Sequence, residues 1–144
     1  MTRIEKSIRI DKPIEEVFNY ASDYEKWSDW FEGVSDFKPT TETKKGNGTR
    51  YAYKAKMMGI YLRVETEVHD FVTNKGWTGK STKGIPHQTQ WIFETIDEST
   101  NFTYVLEYKL PIPLLGSLFD KFFIKPQWNK IINNSLENLK QKFQ

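Results

Sequence analysis

The amino-acid sequence predicts an α+β domain in which a curved antiparallel sheet wraps around a long C-terminal helix. Three features of the order of elements support this. One strand pattern precedes two short helical patterns, about six strand patterns then follow with only turns between them, and the chain ends in a long helical pattern. Strands joined directly by turns become antiparallel neighbours. We therefore predict a sheet of about six to seven strands.

The N-terminal part predicts a strand followed by two short helices. Apolar and polar residues alternate from Arg3 to Ile10, which gives a strand one mostly apolar face. The segment Asp11-Lys12-Pro13 then indicates a helix start, because proline fits the first helical turn. An apolar stripe at helical spacing begins at Ile14, and a second short helical pattern begins at Asp23.

Turn signals divide the middle of the chain into strands. Apolar residues between these turns recur at every second position, as is typical of half-buried strands. The last strand is the clearest, since five apolar or aromatic residues from Phe102 to Leu110 share one face. The turn signals are Gly46-Asn47-Gly48, Gly59, Asn74-Lys75-Gly76, Lys83-Gly84-Ile85-Pro86 and Asp97-Glu98-Ser99.

The C-terminal segment carries more apolar surface than an ordinary amphipathic helix. Its apolar residues recur at helical spacing in two runs, residues 114–123 and 128–143. Pro126 lies between the runs, where it lacks a backbone donor and disfavours helical angles at Lys125. We therefore predict that residues 114–124 form a separate or sharply kinked segment, and that the second run forms the helix held by the sheet.

The composition excludes several classes of protein. The chain has no cysteine, which excludes disulfides, thiol catalysis and cysteine-ligated metals. A net charge of +2 is too small for a dedicated nucleic-acid binder. No run approaches the roughly 18 apolar residues that a spanning helix needs, and the alternating N-terminus shows no apolar leader. We expect a cytoplasmic monomer with no cofactor, no nucleic-acid partner and no stable insertion into a membrane.

The common catalytic and metal-binding signatures are absent from the sequence. No GxSxG, HExxH, P-loop or GxGxxG pattern occurs. His69 and His87 have no carboxylate at metal-ligand spacing, so we predict surface imidazoles. Strand carboxylates such as Glu65 and Glu107 alternate out of phase with the apolar residues, which predicts that they lie on the solvated outer face. The sequence therefore offers no catalytic set and no metal site.

The apolar faces of the strands and of the last helix predict either a cavity or a packed core between them. Several tyrosines lie on these faces, and because a buried hydroxyl needs a partner they favour a partly polar interior. An apolar lining with a few polar groups is the usual make-up of a ligand site. The candidate ligand-binding residues are Tyr51, Tyr53, Met57, Leu62, Val64, Trp77, Trp91, Phe93, Phe102, Tyr104, Leu106, Tyr108, Phe119, Phe122, Trp128, Ile131 and Ile132.

Two groups of apolar residues are candidates for a portal or lid. The aromatic group in the second short helical pattern could equally plug one end of the sheet. The aliphatic group before Pro126 could equally pack against the sheet. The candidate portal residues are Trp27, Trp30, Phe31, Leu115 and Leu118.

The apolar run before Pro126 also permits a transient membrane contact. Lys121 and Lys125 place positive charge beside its phenylalanines and leucines. Two lysines make a thin basic face, and Asp120 in the same segment opposes attraction to an anionic surface. The alternative is that this helical segment is buried against the sheet.

Several local sequences, together with the order of elements, resemble the START-like superfamily with its Bet v 1-type and polyketide cyclase/dehydrase-type members. The resemblance covers essentially the whole chain and rests on fold-marking residues. It implies a helix-grip fold with a cavity between sheet and C-terminal helix, which in relatives binds lipids, sterols, quinones, polyketides or hormones. The matching residues are Ile8-Arg9-Ile10-Asp11-Lys12-Pro13, Val17-Phe18 with Tyr20, Asp23-Tyr24-Glu25-Lys26-Trp27, and Leu136-Glu137-Asn138-Leu139-Lys140.

We therefore expect binding or transport of a small hydrophobic or aromatic molecule, such as a lipid, quinone or polyketide, without catalysis. One alternative is a cyclase/dehydratase-type enzyme in which a pocket Tyr or Glu moves protons, which predicts a perturbed pKa in the cavity. A second alternative is a protein-interaction module, which predicts a collapsed cavity and an exposed apolar patch. A void of roughly a few hundred Å³ separates this last alternative from the other two.

Overall fold

The computed structural model describes residues 2–57, 59–110 and 116–144. In these ranges the chain forms one antiparallel sheet of seven strands, which confirms the α+β fold. The strands are β1 (Thr2–Ile10), β2 (Val34–Pro39), β3 (Arg50–Met57), β4 (Ile60–Val72), β5 (Gly76–Lys83), β6 (His87–Ile96) and β7 (Ser99–Tyr108). Their order across the sheet is β1-β7-β6-β5-β4-β3-β2, so the first strand returns to pair with the last.

The helices lie between β1 and β2 and after β7, as the sequence predicts. The first group comprises α1 (Ile14–Ala21), a 3₁₀ turn (Tyr24–Lys26) and α2 (Trp27–Trp30). The second comprises α3 (Gly116–Phe119), a π-helical turn (Asp120–Ile124) and α4 (Lys125–Gln141). No helix in the described ranges has both the length and the hydropathy that crossing a membrane requires.

Of the two forms of the prediction for residues 114–124, the separate segment is wrong for the part that the structure describes, while a kink stays a prediction. The helical backbone continues from Gly116 to Gln141, and Lys125 has helical angles of φ −59° and ψ −46°. The π-helical turn explains this, because the Lys125 N–H donates to the carbonyl of Asp120, five residues back. Pro126 then lies in the first turn of α4, where a missing N–H costs little.

Buried side chains of α4 hold this helix against the sheet and against α2. Ile132 and Leu139 are fully buried, and burying such a side chain is worth about 1.5–3 kcal/mol. The hydroxyl of Ser135 accepts a hydrogen bond from the Glu32 N–H at 2.8 Å. The amide of Asn138 donates to the Trp30 carbonyl oxygen at 3.2 Å. The C-terminal half of α4 is thereby fixed to the segment that follows β1.

Irregular pairing interrupts the strands that lie far from β1. The register between β2 and β3 shifts between Ser35 and Lys38, and that between β4 and β5 shifts after Glu65 and again after His69. Asp36 takes a positive φ of 58° inside the first of these irregularities. Bulges of this kind bend a strand and increase its twist, which lets a sheet curve around a helix.

The prediction that Glu65 lies in solvent is wrong. Its side chain is buried and accepts hydrogen bonds from the Thr82 hydroxyl at 2.7 Å and the Thr40 hydroxyl at 3.1 Å. These bonds, led by that from Thr82, hold the pKa of Glu65 below its usual value. Alternation places Glu65 on the outer face, but it does not reveal that neighbouring threonines cover that position.

Substitution of Gly76 tests how closely β5 and β6 approach each other at the start of β5. Its φ is +132°, and a Cβ atom there would lie 1.7 Å from the carbonyl oxygen of Trp91. We expect Gly76→Ala to lower the free energy of unfolding by more than about 2 kcal/mol, because the backbone of β6 would have to move. Urea denaturation followed by circular dichroism measures this loss.

Gly46→Ala is the matched control for this substitution. Gly46 also has a positive φ, of +92°, but nothing lies within 4 Å of the position that a Cβ atom would take there. Gly46→Ala is therefore expected to lower the free energy of unfolding by the conformational cost alone, about 1 kcal/mol. Equal losses in the two variants would show that close packing at Gly76 does not contribute.

Candidate ligand-binding cavity

A cavity lies between the sheet and the C-terminal helix. Its volume, counted as space open to the centre of a water-sized sphere, is about 100 Å³. A single water needs roughly 10–15 Å³ on this measure, so the space is large enough for several waters or one compact guest. The lining residues are Trp27, Phe31, Val34, Phe37, Tyr51, Tyr53, Ala55, Leu62, Val64, Thr66, Val68, Trp77, Gly79, Ile85, His87, Thr89, Trp91, Tyr104, Leu106, Tyr108 and Trp128.

Most of the strand residues predicted for a pocket lie in the wall of this cavity. They come from β3 to β7 and face Trp128 of α4. Two predicted portal residues, Trp27 and Phe31, also belong to the wall. The predicted residues that line the cavity are therefore Tyr51, Tyr53, Leu62, Val64, Trp77, Trp91, Tyr104, Leu106, Tyr108, Trp128, Trp27 and Phe31.

Other predicted residues are buried in the packed core and do not line the cavity. Phe93 and Phe102 stack on each other with centroids 4.5 Å apart, and Phe18 of α1 packs on Phe93 at 5.1 Å. Ile131 and Ile132 of α4 are buried in the same core. Trp30 of α2 is also buried and packs on Trp91 of β6, so it is not an exposed lid. Alternation assigns a residue to a face but not to a position along the strand.

Phe119 and Phe122, predicted to bind the ligand, do not line this cavity, because their side chains are exposed; Leu118, predicted for a portal, is exposed as well. The exposed fractions are 38% for Phe119, 63% for Phe122 and 58% for Leu118. The π-helical turn directs Asp120 inwards in place of the phenylalanines. Two remaining candidates, the side chain of Met57 and all of Leu115, lie outside the described residues.

Nine lining residues were not among the sequence candidates. Alternation with predicted neighbours would have found six of them, because they share faces with Tyr53, Val64, Trp77 or Trp91; these six are Ala55, Thr66, Val68, Gly79, His87 and Thr89. For Val34, Phe37 and Ile85, no signal in the sequence marks the position. The nine are Val34, Phe37, Ala55, Thr66, Val68, Gly79, Ile85, His87 and Thr89.

Three tryptophans form a rigid part of the wall. The rings of Trp77 and Trp91 on neighbouring strands stack with centroids 4.5 Å apart. Trp27 lies 6.5 Å from Trp77 and 5.7 Å from Trp91. Its Nε1–H donates to the carbonyl of Ala21 at 2.8 Å, which fixes the indole. Flat aromatic surfaces of this kind favour a guest that is itself flat or aromatic.

His87 and Tyr53 form the main polar pair in the wall, which corrects the prediction that His87 is a surface imidazole. The Nδ1 atom of His87 lies 2.7 Å from the carbonyl oxygen of Ile85, so Nδ1 carries the proton and donates it there. Nε2 is then the acceptor for the Tyr53 hydroxyl at 3.2 Å. Burial lowers the pKa of His87 and raises that of Tyr53, so both side chains are neutral near pH 7.

Tyr104 contributes a second hydroxyl to this region. Its ring is held between Phe31 and Trp91, at centroid distances of 5.3 Å and 5.4 Å. Burial, and to a smaller extent the neighbouring Tyr53, raise the pKa of Tyr104 well above its usual value. The phenol therefore keeps its proton. In the described parts of the chain, no hydrogen-bond partner of the Tyr104 hydroxyl is found.

The other two tyrosine hydroxyls in the wall are bound by the protein. Tyr51 donates to the backbone carbonyl of Lys44, and burial raises the pKa of Tyr51 to about 12. Tyr108 donates to the buried carboxylate of Asp120, which also accepts a hydrogen bond from the Thr2 hydroxyl. Burial and the bonded carboxylate both raise the pKa of Tyr108. These two hydroxyls therefore stabilise the fold and are not offered to a guest.

No metal site accompanies the cavity. Within the described ranges, no group of three His, Cys, Asp or Glu side chains is placed to hold a metal ion. The arrangement can enclose a compact apolar molecule and orient it through one or two phenol groups.

The hydrogen bonds of His87 predict its tautomer and the direction of its pKa shift. Nitrogen NMR is expected to show the proton on Nδ1, with Nε2 as an acceptor. Titration of the imidazole C–H signals is expected to give a pKa below 6.5, because burial disfavours the charged ring. A proton on Nε2 would contradict the assigned Tyr53–His87–Ile85 chain of hydrogen bonds.

The same pKa shift predicts a dependence of stability on pH. The unfolded chain takes up a proton at His87 near pH 6.5, but the folded protein does so only at lower pH. Its contribution to stability is therefore fully present above about pH 6.5 and is lost as the pH falls towards the folded pKa. Urea denaturation at pH 7.5 and 5.5 is expected to show a smaller acid-induced loss in His87→Gln than in wild type. His69→Gln, a change at a more exposed imidazole, is the control that keeps the loss due to His87.

Comparisons with known proteins agree with this architecture. A protein of Thermus thermophilus has a TM-score of 0.85 and 22% identity, over 99% of this chain and 97% of that one. A START superfamily protein from Mycobacterium smegmatis has a TM-score of 0.68 and 16% identity, over 96% and 92%. The structure of Ara h 8.0201 has a TM-score of 0.66 and 12% identity, over 99% and 97%. At these identities, the likeness establishes the fold alone.

The sequence itself matches one family over its whole length. No curated protein matches the chain. The model of the family described as "Polyketide cyclase / dehydrase and lipid transport" matches residues 1–144. The chain therefore belongs to the polyketide cyclase/dehydrase and lipid transport family.

Proposed function

We propose that this protein binds, and in doing so carries, a small hydrophobic or aromatic molecule in the cavity between its sheet and α4. The observation that supports this most directly is the cavity itself, which has a largely apolar and aromatic wall with a few phenol groups. Ligand sites usually combine apolar walls with a small number of placed polar groups. Membership of a family described by lipid transport is consistent with such a guest.

The size of the cavity limits the guest. The space of about 100 Å³ limits the guest to a compact molecule of about one aromatic ring, since an apolar cavity of about 150 Å³ holds benzene. Burying on the order of 300 Å² of apolar guest surface contributes several kcal/mol, of which the costs of association remove a large part. We therefore expect dissociation constants on the order of 10–100 μM for simple aromatic probes.

A cyclase/dehydratase-type enzyme is the alternative that needs an acid or base in the cavity. No aspartate or glutamate is among the described residues of the wall. The tyrosines have raised pKa values and keep their protons, which makes them poor bases. His87 is the one neutral base in the described wall, and its Nε2 already accepts from Tyr53. Binding is therefore the better supported function.

The interaction-module alternative predicts a collapsed cavity and an exposed apolar patch. The patch is present on α3 and the π-helical turn, and the cavity of about 100 Å³ is smaller than the roughly few hundred Å³ that would exclude this alternative. The interior is nevertheless not closed, and the tyrosine hydroxyls in its wall favour a binding protein whose apolar patch serves guest entry.

Filling the cavity tests the proposed site. Ala55 of β3 is buried and lines the cavity, so Ala55→Leu would occupy much of its space. We expect this variant to lose at least about tenfold in affinity for an aromatic probe such as acetophenone, because the guest and the new side chain exclude each other. Isothermal titration calorimetry or amide-shift NMR measures the affinity.

Ala52→Leu is the matched control on the same strand. Ala52 lies on the opposite face of β3 from Tyr51, Tyr53 and Ala55, outside the wall. The control is expected to bind the probe like wild type. If Ala55→Leu folds and also binds like wild type, the guest does not occupy this cavity.

We further propose that the guest enters from an anionic lipid surface through an apolar patch, defined as Leu118, Phe119, Phe122 and Phe123. All four side chains are exposed, which sets aside the prediction that this helical segment is buried. Lys121 and Lys125 lie in the same stretch of helix, and Lys121 Nζ lies 5.8 Å from the ring centroid of Phe122. Apolar side chains with adjacent lysines suit the headgroup region of an anionic bilayer.

Asp120 lies in the same helical segment, but its side chain points away from the proposed contact with the anionic lipid surface. Its carboxylate is buried and accepts from Tyr108 and Thr2. The outward face of the π-helical turn therefore presents Lys121 and the two phenylalanines without an opposing carboxylate from the same turn.

Vesicle binding tests this patch. Wild type is expected to co-sediment with vesicles of phosphatidylcholine and phosphatidylserine, and to bind less at high salt or to pure phosphatidylcholine. The double variant Phe122→Ser/Phe123→Ser is expected to bind at least about tenfold more weakly, because two exposed rings are lost.

The control is Ile96→Ser, which removes an exposed apolar side chain at the other end of β6 from His87. It is expected to leave vesicle binding unchanged. Failure of wild type to bind anionic vesicles would overturn the entry route, as would equal binding by all three proteins, while the cavity proposal would remain. Association of the patch with a second copy or another protein would be the competing result.

A further inference from the structure

The wall of the cavity lacks charged side chains. None of its described residues is a lysine, arginine, aspartate or glutamate. The residues outside the described ranges cannot supply an ionisable side chain, because they are methionines and the segment Pro-Ile-Pro-Leu-Leu at residues 111–115. Burial lowers the pKa of His87, so its ring is neutral near pH 7, and a neutral ring with its proton on Nδ1 satisfies both of its hydrogen bonds. A charged guest would find no counter-charge, and burying an unpaired charge is costly.

The hydroxyl groups of the wall are unequally available to a guest. Tyr51 donates to Lys44, Tyr108 to Asp120 and Tyr53 to His87. Tyr104 has no such acceptor among the described residues, although it lines the cavity. Phe31 and Trp91 hold its ring in place, so its hydroxyl is presented in a defined direction.

This difference determines what a guest must supply. In the empty cavity, water can accept the proton of Tyr104. A guest that displaces this water and has no acceptor leaves the hydroxyl unpaired, which costs more than a hydrogen bond contributes on average. A site that presents a donor in this way discriminates against an analogue without the matching group.

We infer that the cavity selects an uncharged, compact aromatic molecule with a carbonyl oxygen, such as a ketone or quinone, that accepts the Tyr104 hydroxyl, and that it rejects carboxylates. This inference rests on the proposed function and narrows its guest class. It separates ketones and quinones from free fatty acids, which the family description alone does not do. The Tyr53–His87 pair lies beside this position and keeps the surrounding polar groups neutral.

Three probes of nearly equal size and shape test the inference on the wild-type protein. They are acetophenone, ethylbenzene and benzoate, which provide an acceptor, no acceptor and a charge. We expect the ketone to bind about fivefold to a hundredfold more tightly than the hydrocarbon, because the hydrocarbon leaves the Tyr104 hydroxyl unpaired. The benzoate is expected to bind at least about tenfold more weakly than the ketone at pH 7.5. Amide-shift NMR measures all three constants and locates the binding site.

Tyr104→Phe and Tyr51→Phe then separate the roles of the two phenols. Tyr104→Phe is expected to remove the preference for the ketone over the hydrocarbon. Tyr51→Phe removes a hydroxyl of the same wall that is already bound to Lys44, so it is expected to keep that preference. Urea denaturation of both variants checks that they are folded.

The outcomes distinguish this inference from the proposed function. If all three probes bind the cavity with equal affinity, or if folded Tyr104→Phe keeps the full ketone preference, the inference is overturned and the proposed function stands. Tight binding of the benzoate would also overturn it. If none of the probes binds, both the inference and the proposed function fail. The comparison of probes on wild type decides the matter even if a variant does not fold.

Discussion

The hydrogen bonds to the buried carboxylate of Asp120 determine how the C-terminal helix meets the sheet. Tyr108 at the end of β7 and Thr2 at the start of β1 both donate to it. A carboxylate that is buried without partners is strongly unfavourable, so these donors fix the π-helical turn at this edge of the sheet. With Asp120 directed inwards, Phe122 is directed outwards and Pro126 begins α4 where its missing N–H costs little. The hydrogen bonds to Asp120 thus determine the register of the helix, the exposure of the apolar patch and the acceptor of the Tyr108 hydroxyl.

The extent to which the sequence predicts this structure depends on the range of the interaction involved. Strands and turns follow from alternation and glycine positions, which are local, and those predictions are confirmed. Tyr53 and Phe93 both lie on inward faces, but only the packing of Phe18 of α1 on Phe93 separates core from cavity wall. The orientation of Phe122 depends on the long-range partners of Asp120. His87 is the first residue of β6, in phase with Trp91, but the preceding proline makes it look like part of a loop in the sequence. Long-range contacts therefore decide the candidate site.

The tyrosines of the wall would be an inefficient choice if the interior were only a packed core. Phenylalanine fills nearly the same volume and leaves no hydroxyl to satisfy. Here one phenol is bound by the backbone of Lys44, one by Asp120 and one by His87, whose other nitrogen is itself bound to a carbonyl. These three satisfied hydroxyls rigidify the wall around Tyr104, whose hydroxyl has no partner among the described residues. The result is an apolar wall in which polar groups have fixed directions, and this is the property that orients a guest.

The persistence of the empty space has its own physical cause. The helical segment from Asp120 to Asn138 is fixed near both ends, by Asp120 to the sheet edge and by Ser135 and Asn138 to the segment around α2. Trp128 lies between these anchors and faces the cavity. On the opposite side, the stacked indoles of neighbouring strands are held by the sheet hydrogen bonds and cannot move inwards independently. Collapse would require breaking buried polar contacts at one end of the helix, which costs more than the dispersion energy that closing a small void would provide. The cavity therefore persists because the structure that surrounds it is anchored on both sides.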